Sequence, residues 1–216
     1  MDDGLRMVQS RLEFLYERFP PSKYVWAIYY SGGKDSTCLL FNVKLFAEKM
    51  GFTPTVIHNG TGVEIPMLTR LLKETLHTIR GWGFRVKVFT PEKGFFNLML
   101  ERGYSFPVWY KRWCCRTLKY GLTRGWERSR DVLALLGLRG DEYRRLKDKG
   151  FIFRDRYRWT ALPLIDVDEE WVWRFLKEFC PWNRELRSLY PKAWAPGVGH
   201  LLWASAPSAL ARGRSP

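Results

Sequence analysis

The feature that most constrains this chain is a glycine pair set between an apolar strand and a helix. Residues 24–30 read Tyr-Val-Trp-Ala-Ile-Tyr-Tyr, a β-branched and aromatic run without a charge. Such a run predicts a strand buried on both faces. Ser31, Gly32, Gly33, Lys34, Asp35, Ser36 and Thr37 follow, and a helix is expected from about Asp35 to Met50. Glycines let backbone amides approach an anion closely and adopt positive φ. A helix start adds free N–H groups and the positive end of a dipole. With three hydroxyls and the Lys34 ammonium, the loop predicts a cradle for phosphate or pyrophosphate. It is neither the Walker pattern nor the dinucleotide fingerprint, because Asp35 follows Lys34 and the glycine spacing differs.

Strands and helices alternate along the rest of the chain. Helical spacing of Leu5, Val8, Leu12, Leu15 and Phe19 predicts a helix over 4–19, stopped by Pro20 and Pro21. Strands are expected at 53–58, 84–89 and 132–138. Helices are expected at 64–80, 94–102, 112–128 and 168–179, the last capped by Asp166 or Asp168. Residues 141–149 read as a charged helical turn, and 151–159 as a strand or hairpin arm. This order implies an α/β fold, a doubly wound, open parallel sheet of Rossmann-like type. Ligands of such sheets bind beyond the carboxyl ends of the strands. The expected organisation is an N-terminal helix over 1–21, a nucleotide-binding domain over 22–190, and a poorly ordered tail over 191–216, which holds no acidic residue.

No apolar run approaches the roughly 20 residues that span a bilayer, and Met1 to Arg6 do not begin a secretory signal. A cytoplasmic protein without membrane association is therefore expected. Cys38, Cys114, Cys115 and Cys180 form no Cys-x-x-Cys pair, and His58, His77 and His200 are scattered. Reduced thiols and no zinc site follow. The net charge is +14, and residues 101–160 carry +9 of it. That region is either a solvated basic face or an anion-binding surface for nucleotide phosphates, RNA or another polyanion.

The Ser-Gly-Gly-Lys-Asp-Ser string resembles the phosphate loop of the ATP pyrophosphatase (PP-loop, adenine nucleotide alpha hydrolase-like) superfamily. Four further segments resemble one family within it, the phosphoadenylyl-sulfate (PAPS) reductases. They are Thr61-Gly62-Val63-Glu64-Ile65-Pro66; Cys114-Cys115-Arg116-Thr117-Leu118-Lys119; Gly137-Leu138-Arg139-Gly140-Asp141-Glu142 with Arg144 and Arg145; and Leu162-Pro163-Leu164-Ile165-Asp166, followed by a Trp-rich helix and by Asn183, Leu189 and Tyr190. The resemblance implies a sulfur-metabolism protein that binds ATP, adenylyl sulfate (APS) or PAPS, with oxidoreductase or transferase chemistry. It places Ser31, Gly32, Gly33, Lys34, Asp35, Ser36, Thr37, Asn59, Thr61, Gly62, Arg116, Lys119, Arg139 and Arg145 at the nucleotide. Lys34, Arg116 and Lys119 are the catalytic candidates. Adenine is expected near Tyr30 and Asn59, and Asp35 or Glu64 is the candidate Mg2+ ligand.

Two departures matter. Related adenylyl-sulfate reductases bind a [4Fe–4S] cluster with paired cysteines and a later Cys-x-x-Cys; here only Cys180 follows Cys115, so no Fe–S cluster is expected. The reductases' nucleophilic cysteine lies in a Glu-Cys-Gly-Leu/Ile-His tail, and no cysteine follows Pro181. Three functions stay open. The first is sulfonucleotide reductase-like chemistry with an unidentified reductant protein. The second is adenylation of an acceptor, such as a tRNA or a flavin precursor, by an ATP pyrophosphatase. The third is non-catalytic binding of nucleotide or nucleic acid.

Overall fold

The computed structural model describes residues 2–106, 113–141, 150–155 and 157–190. The expected turn over 141–149, with Arg145, and the tail over 191–216 lie outside the described residues, apart from Asp141.

Six strands form one sheet: β1 (Val25–Tyr29), β2 (Thr55–Asn59), β3 (Arg85–Phe89), β4 (Val132–Leu136), β5 (Ile152–Arg154) and β6 (Trp159–Ala161). Their order is β3-β2-β1-β4-β6-β5. All neighbours are parallel except β5, which runs antiparallel to β6 at the edge. The chain works outward from β1 to β3, then returns to the other side of β1 as β4. The switch point therefore lies between β1 and β4, where a doubly wound sheet opens a crevice beyond its carboxyl ends.

Alternation along the central strands divides the core. Trp26, Ile28, Val56, Leu133 and Leu135 face the larger cluster. That cluster is completed by α1 (Asp3–Arg18), α2 (Lys34–Met50), α3 (Pro66–Gly81) and α6 (Glu169–Phe179). Ala27, Ile57, Val132 and Ala134 face the opposite side, under Tyr29, Phe89 and Trp126. The N-terminal helix is part of the main core: Val8, Leu12 and Leu15, spaced four and three apart, are fully buried. Its start packs so tightly on α6 that a Cβ at Gly4 would lie 2.3 Å from Trp171 Nε1.

The expected helix over 112–128 is divided. Cys115–Tyr120 is π-helical, a turn follows, and α5 spans only Arg124–Arg128. Gly121 and Gly125 weaken a continuous helix, and Glu127 is drawn inward to buried partners. π-helical turns are rare and concentrate at functional sites. The ambiguous 151–159 stretch is a hairpin, and its second arm, β6, enters the sheet beside β4. Three-residue strands carry too little periodicity to be seen in a sequence. Asp168 rather than Asp166 caps α6, accepting from the Trp171 amide at 2.7 Å; Asp166 instead pairs with Arg11. A helix not expected from the sequence, α7 (Asn183–Ser188), carries the chain back toward the phosphate loop. The remaining helix, α4, spans Phe95–Glu101. No helix among the described residues is long and apolar enough to cross a membrane.

Candidate functional site

The phosphate loop turns at Gly32, where φ is +80°. A Cβ there would meet Leu72 Cδ2 at 2.6 Å, so glycine is needed both for conformation and for space. Gly33 caps α2 in an extended conformation with no side chain to bind the helix amides. Its carbonyl accepts from Thr37 N at 2.9 Å, Ser36 Oγ at 2.9 Å and Thr37 Oγ1 at 2.8 Å. The Ser36 and Thr37 hydroxyls thus brace the loop from beneath, and Ser31 stands at its exposed rim, 3.0 Å from Ser36 Oγ.

On the β4 side, a Cβ at Gly137 would lie 2.6 Å from the Asp35 carbonyl oxygen and 2.9 Å from Ser36 Cα. Gly137 therefore lets the first turn of α2 settle directly on the end of β4, at the switch point.

Charges are tied together around this turn. Lys34 Nζ is 3.0 Å from Asp35 Oδ2 and 3.9 Å from Glu169 Oε1. It also stands 5.3 Å from the centre of the Tyr190 ring. Burial of Lys34 pulls its pKa down, but Asp35, Tyr190 and Glu169 outweigh burial and move it up. It is an ammonium at neutral pH. Arg139 is 1% exposed, with Nε 2.8 Å from Asp35 Oδ1, Nη1 2.8 Å from Asp141 and Nη2 3.5 Å from Glu169. Its guanidinium is held among carboxylates. Tyr190 reaches the loop from beyond α7, and its hydroxyl accepts from the Lys34 amide at 3.2 Å. Glu169 and Tyr190 complete the site, yet neither stood out as a site residue in the sequence. Glu169 read as a first-turn helix acid, and Tyr190 only as part of a family segment.

The other candidates surround the carboxyl ends of β1 and β2. Asn59 Nδ2 donates to the Lys119 carbonyl at 2.5 Å, which anchors the π-helical segment beside the site. Arg116 is exposed and Lys119 half-buried, and neither has an ion-pair partner among the described residues. Tyr30 points into the core, 3.4 Å from Thr75 Oγ1, while its carbonyl meets His58 Nδ1 at 2.9 Å. Next to it lies a cavity of about 400 Å3, lined in part by His58, Gly60, Leu72, Leu76, Val88 and Thr90. Leu72 touches both this cavity and Gly32.

The residues considered for a metal are already engaged. Asp35 lies between Lys34 and Arg139. Glu64 accepts from Thr61 N at 2.5 Å, Thr61 Oγ1 at 2.8 Å and Gly62 N at 3.0 Å. Burial raises the Glu64 pKa, but these donors outweigh it and hold the carboxyl below its usual range. No group of three His, Cys, Asp or Glu gathers among the described residues. The cysteines do not converge on a cluster site either. Cys38 and Cys180 lie in the main core, whereas Cys114 packs with Phe95, Leu98, Trp113 and Leu118. A hydrogen bond with Cys115, then burial, pushes the Cys114 thiol up; burial pushes Cys38 up and Cys180 up to about 12. These thiols are protonated at neutral pH.

The family model for the phosphoadenosine phosphosulfate reductase domain matches residues 26–193. The chain belongs to this family. The match contains all five segments singled out in the sequence, and it ends just beyond Tyr190. No curated protein sequence matches significantly. Solved structures share the fold at low identity. The PAPS reductase of Candida auris, a phosphate complex, is 15% identical over 85% of both chains, with a TM-score of 0.62. The U34-tRNA thiolase NcsA of Methanococcus maripaludis is 14% identical over 89% of this chain and 67% of its own, with a TM-score of 0.57. The NH3-dependent NAD synthetase of Campylobacter jejuni is 12% identical over 88% and 80%, with a TM-score of 0.57. These likenesses establish the α/β fold of this PAPS reductase-family chain.

Proposed function

We propose that this chain binds ATP, APS or PAPS at its phosphate loop and promotes chemistry at the adenylyl phosphate or its sulfuryl ester. The observation that carries this reading is the glycine-turned start of α2, seated by Gly137 at the β1/β4 switch point with the Lys34 ammonium beside it. The amides of Gly32, Gly33 and Lys34 hold phosphate, with Ser31 at the rim. Lys34, Arg116 and Lys119 neutralise charge on the transferred group, most effectively where it grows in the transition state. Arg145 is assigned the same task. Arg139 acts as a positioning residue that fixes Asp35 and through it Lys34. Adenine takes the cavity beside Leu72, where Leu72, Leu76 and Val88 offer apolar contact and Glu64, Lys73 and Arg80 stand among the lining residues; Asn59, Thr61 and Gly62 are assigned to the same nucleotide.

Calorimetric titration with ATP, APS and PAPS tests the reading; binding of none of them sinks it. Lys34→Ala is expected to weaken the bound nucleotide by about 10–100-fold, the worth of one or two charge-assisted hydrogen bonds.

A second reading, in which ATP is split between its α and β phosphates and an acceptor is adenylated, draws on the fold shared with the tRNA thiolase and the NAD synthetase. Pyrophosphate release that depends on an added acceptor distinguishes it from sulfonucleotide reduction.

Tyr190 competes with the ligand in either case, because its hydroxyl already takes the Lys34 amide. Tyr190→Phe is expected to tighten pyrophosphate binding about fivefold, the worth of about one net hydrogen bond. Weaker binding in that variant would show instead that the hydroxyl contacts the ligand.

A further inference from the structure

The described arginines of the basic stretch over 101–160 do not share one surface. Arg139 goes to the phosphate loop, whereas Arg128, Arg130 and Arg154 go to the opposite edge of the sheet. Register pairs Val25 with Val132, Leu133 with Trp159, and Trp159 with Arg154. The Val25 amide donates to the Asp131 carbonyl at 2.8 Å. The amino ends of β1, β4 and β6 and the end of β5 therefore form one continuous border. Arg18 joins it through Phe19, whose ring lies 5.2 Å from Trp159.

These arginines are exposed, and none has an ion-pair partner among the described residues. They are instead laid on aromatic rings. Arg128 stands 4.3 Å from the Tyr157 ring centre and donates to its hydroxyl at 2.7 Å. Arg130 lies 4.7 Å from Trp126 and donates to its carbonyl at 2.7 Å. Arg154 and Arg18 lie 5.8 and 6.0 Å from Trp159. The carboxylates of Asp131 and Asp155 stand on the same border and only partly offset it.

A guanidinium held close to a ring has lost part of its side-chain freedom, so less is lost when it binds. Each of these side chains remains exposed to solvent. Planar cations and partly exposed rings in a row fit a chain that alternates phosphates with unstacked bases. We propose that this amino-terminal edge is a docking surface for single-stranded RNA, separate from the nucleotide site at the carboxyl ends. The proposal goes beyond the nucleotide reading and does not require it.

The test is fluorescence anisotropy of a labelled 20-nucleotide oligouridine between 50 and 200 mM salt. Arg128→Ala/Arg130→Ala/Arg154→Ala is expected to bind at least about tenfold more weakly at the lower salt, and its log–log salt slope to fall by about 2, near 0.7 per lost phosphate contact. The charge-matched control Arg70→Ala/Lys93→Ala/Arg102→Ala is expected to change affinity less than about threefold. Tyr157→Leu, which keeps every charge, is expected to lose about fivefold with an unchanged slope, as stacking predicts. No binding by the wild-type protein, equal losses in the two triple variants, or equal affinity for a duplex of the same length overturns the proposal.

Discussion

Arg139→Ala is expected to abolish nucleotide binding and to cost about 2–3 kcal/mol of stability, because the buried guanidinium is lost from the largely buried Asp35, while Asp141 and Glu169 are more than half exposed and lose little. Arg139 is 1% exposed and faces Asp35, Asp141 and Glu169. Without it, Asp35 keeps Lys34 as its ion-pair partner among the described residues, and the first turn of α2 loses the group that ties it to the β4 loop. Chemical denaturation and calorimetric titration should both register the loss. Arg139→Lys separates the two effects. Its charge restores part of the stability, but a single ammonium cannot span three carboxylates as a fork does, so nucleotide binding stays impaired. Full binding by a folded Arg139→Ala protein would remove Arg139 from the site.

The second large effect lies away from that loop. Glu127 and Arg158 are 6% and 8% exposed and form an ion pair. Glu127 also accepts from the Tyr29 hydroxyl and from Thr123 Oγ1, the latter at 2.7 Å. The Arg158 guanidinium lies 4.6 Å from the Tyr29 ring centre. Burial, with Glu127 assisting, pushes the Tyr29 phenol up, so it remains a neutral donor. Glu127→Ala is expected to cost about 3–5 kcal/mol by stranding Arg158 in the core. The double variant Glu127→Leu/Arg158→Met is expected to recover most of it, because apolar side chains of similar volume avoid desolvating charge. Urea denaturation of the two variants decides this, and equal stability of single and double variants would show that the pair is not coupled.

These two clusters show what the sequence made legible. The phosphate loop could be read because its residues are contiguous and its function depends on backbone conformation, which glycine at 32 and 33 announces. The sheet could be read because buried parallel strands are apolar along their length. Arg139 was visible as a residue leaving a buried strand toward the ligand edge, but its pairing with Asp35 and Glu169 was not. Those two carboxylates lie far from it in the chain, and no local pattern brings them together with it. Glu127 and Arg158 looked like ordinary helix and hairpin charges for the same reason. The π-helical segment escaped too, since its residues keep apolar spacing compatible with an ordinary helix while Asn59 fixes its backbone from another strand.

The placement of β1 between β2 and β4 bears on how the chain acquires its site during synthesis. Strand β1 and the loop after it are near the start, yet the strand that supports α2 from below comes only at Val132–Leu136, with Val25 against Val132. Contacts so far apart in sequence close late and slow folding. A nascent chain that has emerged only through β3 carries the glycine loop and both of its flanking elements, but not Gly137 or Arg139. Nucleotide affinity should therefore arise abruptly, when β4 docks, rather than grow with length. Comparing a chain that ends before Val132 with one that extends through α7 would display that step.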